Sequence, residues 1–248
     1  KEFAKRKIPK DWKFSPRKGV VLGEKFSPLE RIGVYVPGGT APLVSTAVHT
    51  AAIAKIAGVK EIVAVTPPSE GGFHPALLFA MKSAGVTEAY KLGGVYGIGA
   101  LAYGTDTVKK VEKIAGPGNA YVTAAKKMVY GDVGIDMIAG PSEIMIIADS
   151  SANPNFIAAD LLSQAEHGSG NEQAVLISTD RRLVEKVEKL IILLSKKIKS
   201  SKAFENVIQK NIFLVLAPDL LTAAKIAGEY APEHLEIMCR NPETIVSK

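Results

Sequence analysis

Short apolar runs alternate with helical-period segments along most of the chain. Ile32 to Val36 is a continuous apolar run of strand length, followed by a Pro37–Gly39 turn and an Ala-rich helix from Val44 to Ala57 that Gly58 closes. Glu61 to Thr66 reads as the next strand, Pro75 to Ala84 as a helix stopped by Gly85, and Ala89 to Leu92 as a strand. Ile98 to Tyr103 then reads as a helix, Val108 to Ile114 as strand-like, and Ala120 to Met128 as a helix. A second series follows: strand Ile144 to Ala148, helix Asn155 to Glu166, strand Gln173 to Ser178, helix Arg181 to Ile198 and strand Ile212 to Leu216. Helix Pro218 to Ala227 and a short strand around Leu235 to Cys239 close it. Alternation of this kind predicts an α/β protein whose parallel sheets carry helices on both faces.

Residues 1 to 30 mix charge with Pro9, Pro16 and Pro28 and lack this rhythm, so they read as an arm or as the tail of something upstream. The missing initiator Met is consistent with a chain cut from a longer one. Two Rossmann-like units are predicted with a joint near Ala139 to Ser142, one of them discontinuous in sequence. The expected division is residues 1–34 as the arm and part of the first domain, 35–141 as an inserted domain, and 142–248 as the remainder of the first.

Composition narrows the function classes. Hydrophobic residues make up 47% of the 248, which supports a sizeable core, yet no run approaches a membrane span. The net charge of +6 gathers in the opening segment and along Arg181 to Lys202, where Val184, Val187, Leu190, Ile191 and Leu194 recur at helical spacing. That reads as the solvated side of a packed helix, and nucleic-acid binding is not expected. The single cysteine, Cys239, excludes an internal disulfide and a Cys-based zinc cluster, and a cytoplasmic setting is the default. In its apolar setting it reads as packing, with a nucleophilic role as the rival.

The densest candidate chemistry lies in Asp160-Leu-Leu-Ser-Gln-Ala-Glu-His167, before the glycines at 168 and 170 end the helix. Gln164 and His167 are three apart, which on a helix puts them on one face, with Asp160 a turn back near the same stripe. The pair suits half of a metal shell, or the solvated face of an amphipathic helix. Glu233-His234 follows Pro232, so it should begin a strand or sit on a loop, and strand ends are where open α/β folds bind ligands. Gly116-Pro-Gly-Asn119 feeds a helix N-terminus and suits a phosphate or carboxylate, or is a plain tight turn. No Gly-x-Gly-x-x-Gly fingerprint is present, so a dinucleotide would have to sit differently. Tyr35 and Tyr96 could stack on a ring or pack; His49 and His74 receive no role.

Five motifs in order then resemble one family: Gly33-Val-Tyr-Val-Pro-Gly-Gly39, Gly116-Pro-Gly-Asn119, Ala139-Gly-Pro-Ser-Glu143, Asp160 to His167, and Ala231-Pro-Glu-His-Leu235. Together they look like histidinol dehydrogenase, from about Gly19 to the end. The resemblance implies a zinc-dependent homodimer of histidine biosynthesis that oxidises L-histidinol to L-histidine through L-histidinaldehyde, reducing two NAD+ in succession. It implies Gln164 and His167 as zinc ligands, Glu233 and His234 as the catalytic pair, and Ser142 as a substrate contact, with Gln164, His167 and His234 also meeting the substrate. Tyr35 and Asn119 match NAD contacts, and the third such position, usually Gln, is Tyr96. The family's remaining Asp and His ligands come after the Glu-His motif, the His from the partner subunit, so the zinc shell is expected to be incomplete in this chain. A non-enzymatic metal or nucleotide-binding fragment is the first rival reading. An aldehyde dehydrogenase acting through a thioester on Cys239 is the second.

Overall fold

The computed structural model describes residues 2–38, 43–69, 71–167, 170–198 and 201–246. Gly39 of the expected turn and Gly168 after the Asp160 to His167 segment lie outside them. The chain divides into two compact units, Lys1–Ala139 and Gly140–Lys248.

The first unit opens with a short helix α1 (Glu2–Arg6) and a hairpin of β1 (Trp12–Arg17) and β2 (Val20–Glu24). The arm therefore has local order, with the Trp12 indole donating to Glu24 Oε2 at 2.8 Å. Then come β3 (Arg31–Tyr35), α2 (Val44–Ile56), β4 (Glu61–Thr66), α3 (Pro75–Ala84), β5 (Glu88–Lys91), α4 (Gly94–Tyr103), β6 (Lys113–Ala115), α5 (Ala120–Val129) and β7 (Gly134–Ile135). The strands form one parallel sheet in the order β5-β4-β3-β6-β7.

Alternate strand residues face opposite helix layers. Ile32, Val34, Ile62 and Ala64 pack on α2 and α3, whereas Tyr35, Val63, Val65 and Ile114 pack on α4 and α5. The boundary expected at 34/35 is corrected by this sheet. It would cut β3, whose five residues are all buried and hydrogen-bonded between β4 and β6, so residues 1–34 group with the first unit.

The second unit contains β8 (Glu143–Ala148), α6 (Pro154–Ala165), β9 (Gln173–Ser178), α7 (Arg181–Ser195), α8 (Lys202–Lys210), β10 (Ile212–Leu216), α9 (Leu220–Tyr230), β11 (His234–Met238) and α10 (Glu243–Val246). Its parallel sheet runs β10-β9-β8-β11. Ile144, Ile146 and Leu176 meet α6, α7 and α8 on one face; Met145, Ile147 and Ile177 meet α9 and α10 on the other. The α/β class with helices on both faces of parallel sheets is thus observed in each unit.

Several elements differ from the sequence reading. α4 begins four residues before Ile98, because the weak helix formers Gly94 and Gly97 sit in a first turn whose start is held from outside: the Tyr35 hydroxyl accepts the Gly94 N–H at 2.9 Å. The strand expected from Val108 shrinks to Lys113–Ala115, since Thr105 Oγ1 accepts the Val108 N–H at 3.0 Å and holds that residue in a turn. The long helix stops at Ser195. α8 goes unnoticed in the sequence reading, although Ser201 caps it through the Phe204 N–H at 3.2 Å and Phe204 and Val207 are buried.

At the amino edge of the first sheet, Arg31 is 8% exposed and forks onto Glu88 Oε1 at 2.7 Å and Oε2 at 2.9 Å, with Glu61 as a third partner. The Arg31 bonds, joined by the Tyr90 hydroxyl, hold the Glu88 carboxyl down at about 2 against an ordinary 4.5. A depressed carboxyl stabilises the fold above its unfolded value, and that contribution disappears as pH falls from 4.5 through about 2. Glu88 is more than a third exposed and Arg31 keeps Glu61, so Glu88→Gln should cost only about 1 kcal/mol at pH 7. The difference from the parent should vanish near pH 2 in urea titrations; a constant difference across that range would contradict the assignment.

Candidate active site

The second unit gathers the candidate catalytic groups at the amino edge of its sheet. In β8-α6-β9 the two strands are parallel, so the intervening α6 runs back and brings its last turn to the edge where the strands begin. Asn153 caps the start of α6 through the Asn155 N–H at 2.9 Å, and Ile157, Ala158, Leu161 and Leu162 bury its core face. Gln164, in the last turn, is only 5% exposed.

From the other side, α9 ends at Ala231, which takes a left-handed φ of 53° and donates its N–H to Ala227 O at 2.8 Å. It is the only non-glycine residue with positive φ among the described residues, a strain of order 1 kcal/mol placed two residues before Glu233. The turn delivers Glu233 to the sheet edge, where its Oε2 accepts the Glu143 N–H at 3.3 Å, and His234 opens β11 opposite Ile144. Neighbours in a regular strand face opposite ways, but Glu233 precedes the strand, so both side chains reach one space. His234 Nε2 lies 3.9 Å from Glu233 Oε2.

Glu233, His234, Asp160, Ser163, Gln164 and Glu236 line a single cavity of about 400 Å³. Within it, Gln164 Nε2 and Glu236 Oε2 are buried polar atoms without a hydrogen-bond partner. Such orphans are uncommon in folded proteins, and these two open onto a cavity that could supply a polar partner. Burial pushes the Glu236 carboxyl up, and the neighbouring Asp160 adds to the shift.

His167 does not line this cavity. The helix ends at Ala165, so the one-face stripe is corrected: Gln164 turns inward while His167 is exposed beyond the last turn. Its Nδ1 is 3.2 Å from the Ser163 carbonyl, and with Nδ1–H donating there the free Nε2 carries the lone pair a metal would take. Ser142 sits just before β8, half-buried, and its carbonyl accepts the Gln173 N–H at 3.2 Å.

The pair begins a strand, as the proline before it led one to expect. Glu233, His234 and Gln164 therefore meet at the amino end of the sheet, not at the carboxyl end where open α/β sheets commonly bind ligands. Cys239 lies past the opposite, carboxyl end of β11, with Sγ 3.7 Å from the Ile147 carbonyl and its thiol pushed up by burial. A protonated thiol is a poor nucleophile. Among the described residues no group of three or more His, Cys, Asp or Glu is arranged to hold a metal.

The first unit places Tyr35, Tyr96 and Asn119 at the carboxyl edge of its own sheet, around the switch point between β3 and β6. Tyr35 is 3% exposed with its hydroxyl on Gly94, whereas Tyr96, in the first turn of α4, is 78% exposed. Asn119 caps α5, its Oδ1 accepting the Val122 N–H at 3.1 Å. Gly94, at φ 61°, has no atom within 4 Å of where a Cβ would sit. Two helix starts and open space beside Gly94 suit an anionic cofactor. His74, given no role from sequence, caps α3 through the Ala76 N–H at 3.2 Å.

Two units, each a parallel sheet with helices on both faces, place the chain in the α/β class. Rhodopseudomonas palustris propionaldehyde dehydrogenase, solved with bound propionyl-CoA, shares the fold at a TM-score of 0.55 and 14% identity, over 96% of this chain and 65% of that one. The particular family is narrower. The family model "Histidinol dehydrogenase" matches residues 1–248, and the chain belongs to that family of oxidoreductases. Histidinol dehydrogenase of Rhizobium meliloti is 46% identical over 98% of this chain and 56% of its own length. The crystal structure of histidinol dehydrogenase from Elizabethkingia anophelis superposes with a TM-score of 0.92 at 38% identity, over 98% of this chain and 56% of that one. The chain thus spans little more than half the length of these relatives.

Proposed function

We propose that this chain carries catalytic and zinc-binding residues for the zinc-dependent, NAD-linked oxidation of L-histidinol to L-histidine through L-histidinaldehyde. The reading includes a cytoplasmic homodimer in which the partner subunit completes the site. Its main support is the meeting of Gln164 from α6 with Glu233 and His234 from the start of β11 in one cavity. Family membership supplies the reaction.

When bound, NAD would take up the hydride of each oxidation, and zinc held by Gln164 and His167 would orient the substrate. The chain's residues do the rest. Gln164 would offer its carbonyl oxygen Oε1 to a cation and His167 its Nε2, while Ser142 contacts the substrate from the same sheet edge. His234 Nε2 takes the proton of the substrate hydroxyl as the carbon gives up its hydride, since imidazole alone among unperturbed side chains titrates near neutrality. Glu233 draws a proton from water as the oxygen adds to the aldehyde carbon, and the carbonyl oxygen takes the proton that His234 held from the first oxidation. The freed His234 then accepts a hydroxyl proton of the diol in the second oxidation. Tyr96 and Asn119 contact the cofactor, with Tyr35 behind Gly94.

The test is NADH absorbance from the protein with zinc, NAD+ and L-histidinol, beside Cys239→Ala. Formation of NADH at the parent rate in both is expected. Loss confined to the Cys239 variant would favour the thioester reading. Silence in this chain while a longer chain carrying the region after the Glu-His motif turns over would mark it as an incomplete piece of the enzyme, and silence in both would favour a non-enzymatic binding role.

A further inference from the structure

Lys126 is 3% exposed, on the core side of α5, and neither oxidation step uses it. A buried ammonium costs several kcal/mol unless its hydrogen-bonding groups are met. Its Nζ donates to the Gly116 carbonyl at 3.0 Å and pairs with Asp136 Oδ1. Asp136 lies just beyond β7, at the same carboxyl edge, and its Oδ2 accepts the Gly116 N–H at 2.8 Å while Oδ1 also takes the Met137 N–H at 2.8 Å. Both polar groups of Gly116 are therefore held by one ion pair, the carbonyl by the lysine and the amide by the aspartate.

Gly116 begins the link to Asn119, and it adopts φ 125° where an added Cβ would fall on the Tyr35 carbonyl oxygen. Tyr35 in turn reaches Gly94, the first residue of the helix that carries Tyr96. Tyr35, Tyr96 and Asn119 are thus tied to one frame through Gly94 and Gly116. A replacement of Lys126 and Asp136 by apolar residues would leave the core packed, yet free the Gly116 peptide to rotate.

We infer that Lys126 and Asp136 are positioning residues for the nicotinamide dinucleotide, holding the Gly116 peptide so that Asn119 and the start of α5 face the cofactor. The inference rests on the reading that this edge binds NAD. Its stabilising role and its positioning role separate in two variants. Asp136→Leu leaves Lys126 buried without its anion and should lower the melting temperature. Lys126→Met with Asp136→Leu removes both charges but also both Gly116 partners, so it should melt above Asp136→Leu and below the parent.

The measurement is NAD+ titration calorimetry on the 248-residue chain, with amide hydrogen exchange across residues 113–122 in the absence of NAD+. At a temperature where all variants are folded, the double variant should bind NAD+ roughly tenfold more weakly than the parent and no more tightly than Asp136→Leu despite its higher melting temperature, and Gly116 should exchange faster. Full NAD+ affinity in the double variant, or unchanged exchange at Gly116, would overturn the inference. A parent chain that binds no NAD+ would overturn the cofactor reading itself, and the inference with it, before any substitution is made.

Discussion

His234→Asn is expected to lower NADH formation from L-histidinol by roughly a thousandfold, in the middle of the range for general acid–base catalysis, with KM for histidinol changed only a few-fold. Asparagine keeps the approximate size of the ring and a hydrogen-bonding end, so the cavity formed with Gln164 and Glu236 should persist. What is lost is a base able to take a proton near neutral pH. Glu233→Gln separates the two oxidations. It should leave the first hydride transfer nearly intact and slow the second, because water addition to the aldehyde needs the carboxylate. Rapid-mixing absorbance should then show one NADH per site formed quickly and a second formed slowly. A His234→Asn protein that retains a tenth of parental activity, or a Glu233→Gln protein slowed equally in both phases, would remove these residues from the assigned roles.

The second large effect concerns Gly116→Ala, for which a loss of about 3 kcal/mol or more is expected. A Cβ at this position overlaps the backbone carbonyl oxygen of Tyr35, and φ 125° is strained for any L side chain. The conformational cost is roughly 1–2 kcal/mol, and forcing an atom into packed backbone adds about 1–3 kcal/mol. The neighbour that must give way is a strand carbonyl in β3, at the centre of the first sheet, so relief by a side-chain rotation is closed. Gly94→Ala is the internal comparison. It has φ 61° but open space around the new atom, and should cost only about 1 kcal/mol. Equilibrium urea denaturation of both variants measures the difference; equal stabilities would mean that the Gly116 peptide yields more readily than its contacts imply.

Much of the fold was legible residue by residue. The bounds of β4 and α3 agree with the sequence reading because their signals are local: a continuous apolar run, Pro75 at the first helical turn, and Gly85 in the left-handed conformation at φ 101°. The start of α4 was not legible, since Gly93 and Gly94 carry no helical signal and the turn is anchored by a tyrosine hydroxyl far away in the chain. Lys126 gave no sign either. In sequence it is one of two adjacent lysines on an amphipathic helix, and only packing buries one and exposes the other.

The candidate site divides along the same line. Gln164, Glu233 and His234 were nameable from chemistry and motif, but not their meeting in one cavity, nor the exposure of His167 beyond the end of α6. Glu236 and Asp160 facing the same cavity depend on β11 lying beside β8 rather than beside β10.

By itself, the order of residues determined the alternation of strands and helices, the α/β class and the family, because periodicity, caps and motifs act over a few positions at a time. The tertiary structure alone decided the sheet orders, the meeting of Gln164 with Glu233 and His234 in one cavity, and the burial of Lys126 against Gly116. Those depend on strand pairing and on which charges packing removes from water, and both are set by partners distant along the chain.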